Sequence, residues 1–310
     1  MRSIATMAKR TGAAVLRQPQ LGALARRVAA LGGRSMVLVY HRIGALQSPG
    51  LIPTVPVTDF RTHLQTLQDI GEIVPLSQLL RERRSTKMRF ALTFDDDHAA
   101  HVDVVLPILL EHRAHATFFL SGRSLHELGP YWFQALENLV LDRGVRAVAD
   151  LLSIAQGDVN EIAVKCESAP LLQAKLEATH HGRAEIISEE RLAMLSDAGM
   201  DIGFHTLHHR LLPLLGDAEI DRALREGRDE LEAAIRTPTK LFAYPHGKAD
   251  ARVAARVRAN GYDAAFTGMP HPITRRSDRF LLGRWEPGVV GASQLTVKAT
   301  GRVVRPIAST

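Results

Sequence analysis

Four short polar clusters carry the residue types from which a hydrolytic site is built. Residues 93–97 read Thr-Phe-Asp-Asp-Asp, directly after an apolar run. Adjacent carboxylates at a strand end repel one another; a divalent cation removes that repulsion and leaves a neighbouring carboxylate free to act as a base. An acidic loop, or the N-cap of a helix starting near His98, accounts for the same residues equally well. Residues 205–209 read His-Thr-Leu-His-His. His205 and His209 are four apart, so a helical turn would point both imidazoles the same way, toward a shared metal. Spacing alone is weak: with 14 histidines in 310 residues, about 0.6 such pair arises by chance. His208 has a different azimuth and belongs behind the pair or at the surface.

The third cluster, residues 242–247, reads Phe-Ala-Tyr-Pro-His-Gly. Proline fixes the local backbone and Gly247 permits a turn, so a backbone N–H can be aimed at a reacting oxygen. An ordinary strand-ending turn has the same composition. The fourth ends the apolar run 37–40 in His41. A lone histidine there is usually a satisfied core residue, and His41 gains weight from the other clusters.

These clusters need elements to position them. Short β-type runs at 36–40, 72–74, 88–94, 116–120, 200–204, 240–244, 262–267 and 280–284 are mostly apolar on both faces. Between them, helical patterns cover 59–69, 76–83, 102–112, 189–198, 217–235 and 250–259, with Gly71, Gly199 and Gly261 placed as left-handed caps. Alternating buried strands and helices imply parallel pairing, and seven or eight repeats suit a barrel of the TIM kind, with a doubly wound open sheet as runner-up. The strand ends of such a barrel open onto one face, which would bring the polar clusters together. Residues 131–187 break the alternation and read as a helical insertion on the barrel rim.

The rest of the composition narrows the class. A single cysteine, Cys166, cannot close an intramolecular disulfide. The apolar stretches are too short to span a bilayer. Residues 1–34 hold seven basic side chains and no acidic one, so the remaining 32 basic residues face 33 acidic ones. The net charge of +6 thus belongs to an N-terminal arm, which argues against nucleic-acid binding by the main body. Leu21, Leu24, Ala25, Val28 and Leu31 fall at helical spacing opposite Arg26 and Arg27, suited to packing on the domain or to peripheral contact with anionic lipid. The arm lacks the uninterrupted apolar core of a secretory signal, and a cytoplasmic location is the expectation.

Taken in order, Thr93-Phe94-Asp95-Asp96, His205-Thr206-x-x-His209 and Phe242-x-Tyr244-Pro245-x-Gly247 resemble the motifs of the polysaccharide deacetylase superfamily, the NodB-homology domain. Residues 198–206, Ala-Gly-Met-Asp-Ile-Gly-Phe-His-Thr, are similar to that family's approach to its histidines. The resemblance covers roughly residues 36–290. It implies a deformed (β/α)7–8 barrel over residues 35–295, flanked by the arm 1–34 and a tail 296–310. It also implies hydrolysis of N-acetyl groups from an amino-sugar oligomer or polymer. Carried over residue by residue, Asp95 would be the general base, and Asp96, His205 and His209 would hold zinc, with manganese, cobalt or nickel also admitted by the mixed donors. The backbone N–H of His246 would face the oxyanion, with Tyr244, Pro245 and Gly247 beside the substrate.

Two departures stand out. The late-strand histidine that usually supplies the acid is missing, and the Tyr40-His41-Arg42-Ile43 segment instead resembles the circularly shifted members, including poly-N-acetylglucosamine deacetylases, making His41 the acid. Ala243 stands where many members have an arginine, and Arg284 is the candidate replacement. Hydrolysis of another non-peptide C–N amide bond, or a non-catalytic barrel retaining the fold, are the competing readings.

Overall fold

The computed structural model describes residues 35–45, 50–81, 85, 87–155, 157–167, 169–179 and 186–304. The basic arm 1–34, with its amphipathic stretch, lies outside them. The central strands are short, apolar and buried on both faces: β1 (Ser35–Tyr40), β5 (Arg89–Asp95), β6 (Ala116–Leu120), β7 (Asp201–Phe204), β8 (Leu241–Ala243) and β9 (Ala264–Phe266). They pair in parallel in that order, while β4 (Glu72–Ile73) pairs with the first residues of β5. A separate two-stranded piece joins β2 (Arg42–Ile43) to β3 (Thr54–Val55).

The expected strand at 280–284 is reduced to bridges, yet it closes the curl. Leu282 bridges Phe266 of β9 and Trp285 bridges Leu38 of β1, with Val39 N–H donating to Trp285 O at 3.0 Å and Trp285 N–H to Val37 O at 2.8 Å. Hydrogen bonding therefore runs around the ring from β1 to β9 and back, a deformed parallel barrel.

Strand alternation sorts the side chains into two cores. Met36, Leu38, Tyr40, Phe90, Leu92, Phe94, Phe118 and Leu120 join the core under the helices. Val37, Ala91, Phe119, Ala243, Phe266 and Leu282, on the opposite face, fill the barrel interior. Burial on both faces is the reason these strands read as continuous apolar runs.

Helices Val57–Ile70, Leu76–Arg81, Leu106–Glu111, Glu189–Asp197 and Ala251–Ala259 flank the strands near their expected positions. The helix expected over 217–235 is two, Asp217–Ala223 and Arg228–Ile235, divided near Gly227, whose φ of 78° no helix interior accommodates. Gly199 and Gly261 do take left-handed φ after their helices. Gly71 does not: its φ of −169° is extended, and it is glycine because a Cβ there would collide with the Met88 carbonyl. The insertion is helical as expected, with helices Trp132–Arg143, Val145–Leu152, Val159–Glu167 and Pro170–Thr179 around a core of their own that includes Leu136, Leu139, Val148, Ile162 and Cys166. The expected tail begins inside helix Ala292–Val304, which buries Leu295 and Ala299.

Candidate active site

The polar side chains at the barrel mouth continue the interior face of the strands. Thr93 and Asp95 follow Ala91 in alternation on β5, His41 follows Val39 beyond β1, and Arg284 and Glu286 follow Leu282 on the closing segment. Trp285, between the last two, turns into the helix-side core. Asp95, Asp96, His41, His205, His209, His246, Gly247, Arg284 and Glu286 all line one cavity of about 500 Å³.

Asp95 and Arg284 form a buried bidentate pair: Arg284 Nη1 donates to Asp95 Oδ1 at 2.5 Å and Nη2 to Oδ2 at 2.6 Å. Arg284 also donates to Thr93 Oγ1 and Thr267 O, both at 3.3 Å, so its fork is fixed from three sides. Burial opposes ionisation of Asp95, but the guanidinium outweighs it and holds the carboxyl below the usual carboxylate range.

Asp96 has a left-handed φ of 69°, and its Oδ1 and Asp95 Oδ2 lie 3.7 and 3.9 Å from the same His205 Nε2. His101, itself buried, faces Asp95 O at 3.0 Å and Asp96 O at 3.1 Å through Nε2 and so pins this strained turn. Burial drives the His101 pKa down to about 3, leaving a neutral ring that can donate its Nε2 proton to the two carbonyls. The third aspartate is not free for chemistry: Asp97 accepts from Ser121 N at 2.8 Å, Ser121 Oγ at 2.8 Å and Arg123 N at 2.9 Å, tying β5 to the end of β6.

The histidine pair does not lie on a helical turn. Residues 205–209 form an irregular turn in which Thr206 (φ 61°) and His209 (φ 47°) are left-handed, and this reversal brings the two rings to 4.9 Å between centroids. His205 Nδ1 lies 2.9 Å from Ala243 O and donates to it, leaving Nε2 bare toward the cavity. Asp96 Oδ1 lies 3.7 Å from His205 Nε2 and 3.7 Å from His209 Nε2. One ligand atom from each of the three residues falls within 4.8 Å of the others. Asp96 Oδ1 is buried with no hydrogen-bond partner, a costly arrangement for a carboxylate oxygen unless a cation faces it. Burial holds His209 neutral, the form that ligates, and Tyr131 and Phe133 pack against its ring. These residues fit a divalent cation with mixed O and N donors.

His41 Nδ1 meets Glu286 Oε1 at 3.2 Å. Burial favours the neutral ring, but Glu286, Asp96 and Asp95 together outweigh it and raise the His41 pKa to about 9. His246 sits in the short turn Pro245–Gly247 with φ of 57°, and burial lowers its pKa. Its Nδ1 is 3.7 Å from Glu167 Oε1, a carboxylate delivered by the insertion. Gly247 (φ 64°) packs so closely on Gly268 that a Cβ would lie 2.6 Å from Gly268 N.

Two expected substrate contacts are corrected. Tyr244 is fully buried in the helix-side core and donates its hydroxyl to Phe280 O at 2.8 Å, because it takes the outward parity of β8; Pro245 is buried beside it and neither lines the cavity. Gly247 does line it. His208 is exposed near Glu226, as expected, although the irregular turn rather than a helical azimuth places it there. The sequence reading missed Glu286, Glu167, His98 and His101. Period-two alternation from Arg284 would have found Glu286; Glu167 arrives from a distant insertion, which no local pattern reveals.

The polysaccharide deacetylase family model matches residues 82–265, more than half of the chain, and the chain belongs to that family. Its class is therefore that of hydrolases acting on the C–N amide bonds of acetylated sugars. The matched span begins after β1 and stops before the closing segment, so neither His41 nor Arg284 falls within it. Among solved structures, the chain is similar to the Streptococcus pyogenes deacetylase PplD, with a TM-score of 0.60 at 17% identity over 86% of this chain and 98% of that one. It is equally similar to IcaB from Ammonifex degensii, with a TM-score of 0.60 at 17% identity over 86% and 97%. The Bacillus cereus polysaccharide deacetylase BC0361 aligns with a TM-score of 0.59 at 15% identity over 86% and 69%. At such identities the likeness is one of fold. No curated protein matches the chain.

Proposed function

We propose that this chain is a divalent-metal-dependent hydrolase that removes N-acetyl groups from an amino-sugar oligo- or polysaccharide. The observation that carries the reading is the convergence of Asp96 Oδ1, His205 Nε2 and His209 Nε2 within 4.8 Å of one another, beside the Asp95–Arg284 pair and at the wall of an open cavity. A bound zinc, manganese, cobalt or nickel ion supplies a Lewis acid that polarises the acetamide carbonyl and acidifies water.

The chain's own groups divide the remaining work. Asp95, ionised and locked in orientation by Arg284, accepts the proton of the attacking water. His41 carries a proton at neutral pH because of Glu286 and the site aspartates, and it donates that proton to the departing amine. The backbone N–H of His246 serves the carbonyl oxygen as negative charge accumulates there. The apolar wall of Leu51, Ile52, Trp132 and Phe133 offers faces for a sugar ring and limits water around the reacting bond.

The test is acetate release from N-acetylated chitooligosaccharides by the metal-loaded protein. The expected result is release that a chelator abolishes and zinc restores. Release that is indifferent to chelation would defeat the metal role, and the absence of release from every acetylated glycan tried would defeat the substrate class.

A further inference from the structure

Behind Asp96 lies a row of polar groups, hydrogen-bonded as far as His98, that neither the reaction nor the metal triad uses. It starts in the insertion: Tyr131 N–H donates to Gln134 Oε1 at 2.7 Å, which fixes the amide so that Gln134 Nε2 is the donor. That Nε2 lies 3.1 Å from His98 Nδ1, so His98 Nδ1 accepts and the ring proton of its neutral form resides on Nε2. His98 Nε2 lies 3.6 Å from Asp96 Oδ2, beyond a formed hydrogen bond, and is buried without another partner. The opposite oxygen, Asp96 Oδ1, is the one that faces His205 and His209. The insertion braces the same loop from its far end, where Ile187 N–H donates to Asp97 O at 2.7 Å and Ile186 bridges His98.

We infer that His98 is a positioning residue: its Nε2–H, set by Gln134, restrains Asp96 Oδ2 so that Oδ1 alone is presented to the cation. The insertion thus acts on the metal loop from beneath, besides shaping the cleft. The inference rests on the metal reading above. Outer-shell partners of this kind are worth about 10–100-fold in metal affinity.

The experiment measures zinc affinity by competition with a chromophoric chelator, and the visible spectrum of the cobalt-loaded protein, for the wild type, His98→Phe, His98→Gln and Asp96→Ala. Phe keeps the ring volume and the packing against His101 but has no donor; Gln carries an amide N–H to about the place of Nε2. His98→Phe is expected to bind zinc about 10–100-fold more weakly with an altered cobalt spectrum, and His98→Gln to recover most of the loss. Thermal unfolding of the metal-free proteins identifies any variant that fails to fold; should His98→Phe be one, His98→Met, which likewise has no N–H donor, takes its place against His98→Gln. Wild-type affinity and spectrum in His98→Phe, with Asp96→Ala unable to bind, would overturn this inference alone. Equal zinc binding by wild type and Asp96→Ala would instead overturn the metal reading beneath it.

Discussion

At the residue scale, the two groups proposed to carry protons, Asp95 and His41, are tuned in opposite directions by partners that arrive together on one segment. Arg284 lowers Asp95 and Glu286 raises His41, and the two partners are neighbours on the same face of the closing segment. Asp95→Asn is expected to lower kcat about 10²–10⁴-fold while leaving bound metal in place, checked by turnover alongside elemental analysis. Arg284→Met removes the charge that keeps Asp95 ionised. The carboxyl pKa rises, and the acid limb of the kcat/KM profile moves to higher pH. For His41 the sign is reversed: its pKa is raised above the ordinary histidine value to about 9, so the protonated acid persists as pH rises and is lost as pH passes through that value. Glu286→Gln removes a raising group and should shift the alkaline limb to lower pH; an unmoved limb would count against His41 as the acid. The aspartate pair and the histidine pair were legible because strand-end polar clusters interrupt apolar runs. The pairing of Arg284 with Asp95 was legible only through the missing arginine at Ala243, since the contact spans 189 residues of sequence.

At the element scale, two features hold the site in register. The turn Pro245–Gly247 depends on the Gly247–Gly268 approach. Gly247→Ala must displace the facing backbone and adopt an unfavourable φ, at a cost of about 1–3 kcal/mol, and denaturant melts should show it together with a lower kcat from a shifted His246. Helix Trp132–Arg143 supplies the buried Glu137, which accepts from Arg42 Nη1 at 2.7 Å and Leu51 N at 3.1 Å. Glu137→Ala strands a largely buried guanidinium and frees the Leu51–Ile52 wall; a stability loss of about 3–5 kcal/mol in urea melts and a raised KM are expected. The six central strands were readable from apolar runs to within a residue or two, because burial on both faces leaves little else; the pair Arg42–Ile43 and Thr54–Val55 was not, and 280–284 forms only bridges. The helix break at Gly227 and the irregular turn at His205 were not, since left-handed φ at Thr206 and His209 is imposed by the surrounding packing rather than by residue type.

At the scale of the whole molecule, the barrel brings strand ends to one mouth and the helical insertion closes over one side, so residues from both ends of the chain meet. The parallel barrel followed from the strand–helix alternation; its closure by bridges at Leu282 and Trp285, and the reach of the insertion into the cleft, depend on contacts between distant segments. Among the described residues, no helix is long and apolar enough to cross a membrane. Because a ligand of the native state alone stabilises it, zinc should raise the Tm of the wild type and leave that of Asp96→Ala unmoved. The most direct measurement is anomalous diffraction at the zinc edge from crystals of the metal-loaded protein. One peak within bonding distance of Asp96, His205 and His209, with Asp95 nearby but still on Arg284, is the result expected; zinc bound elsewhere, or none at these three residues, would contradict the account.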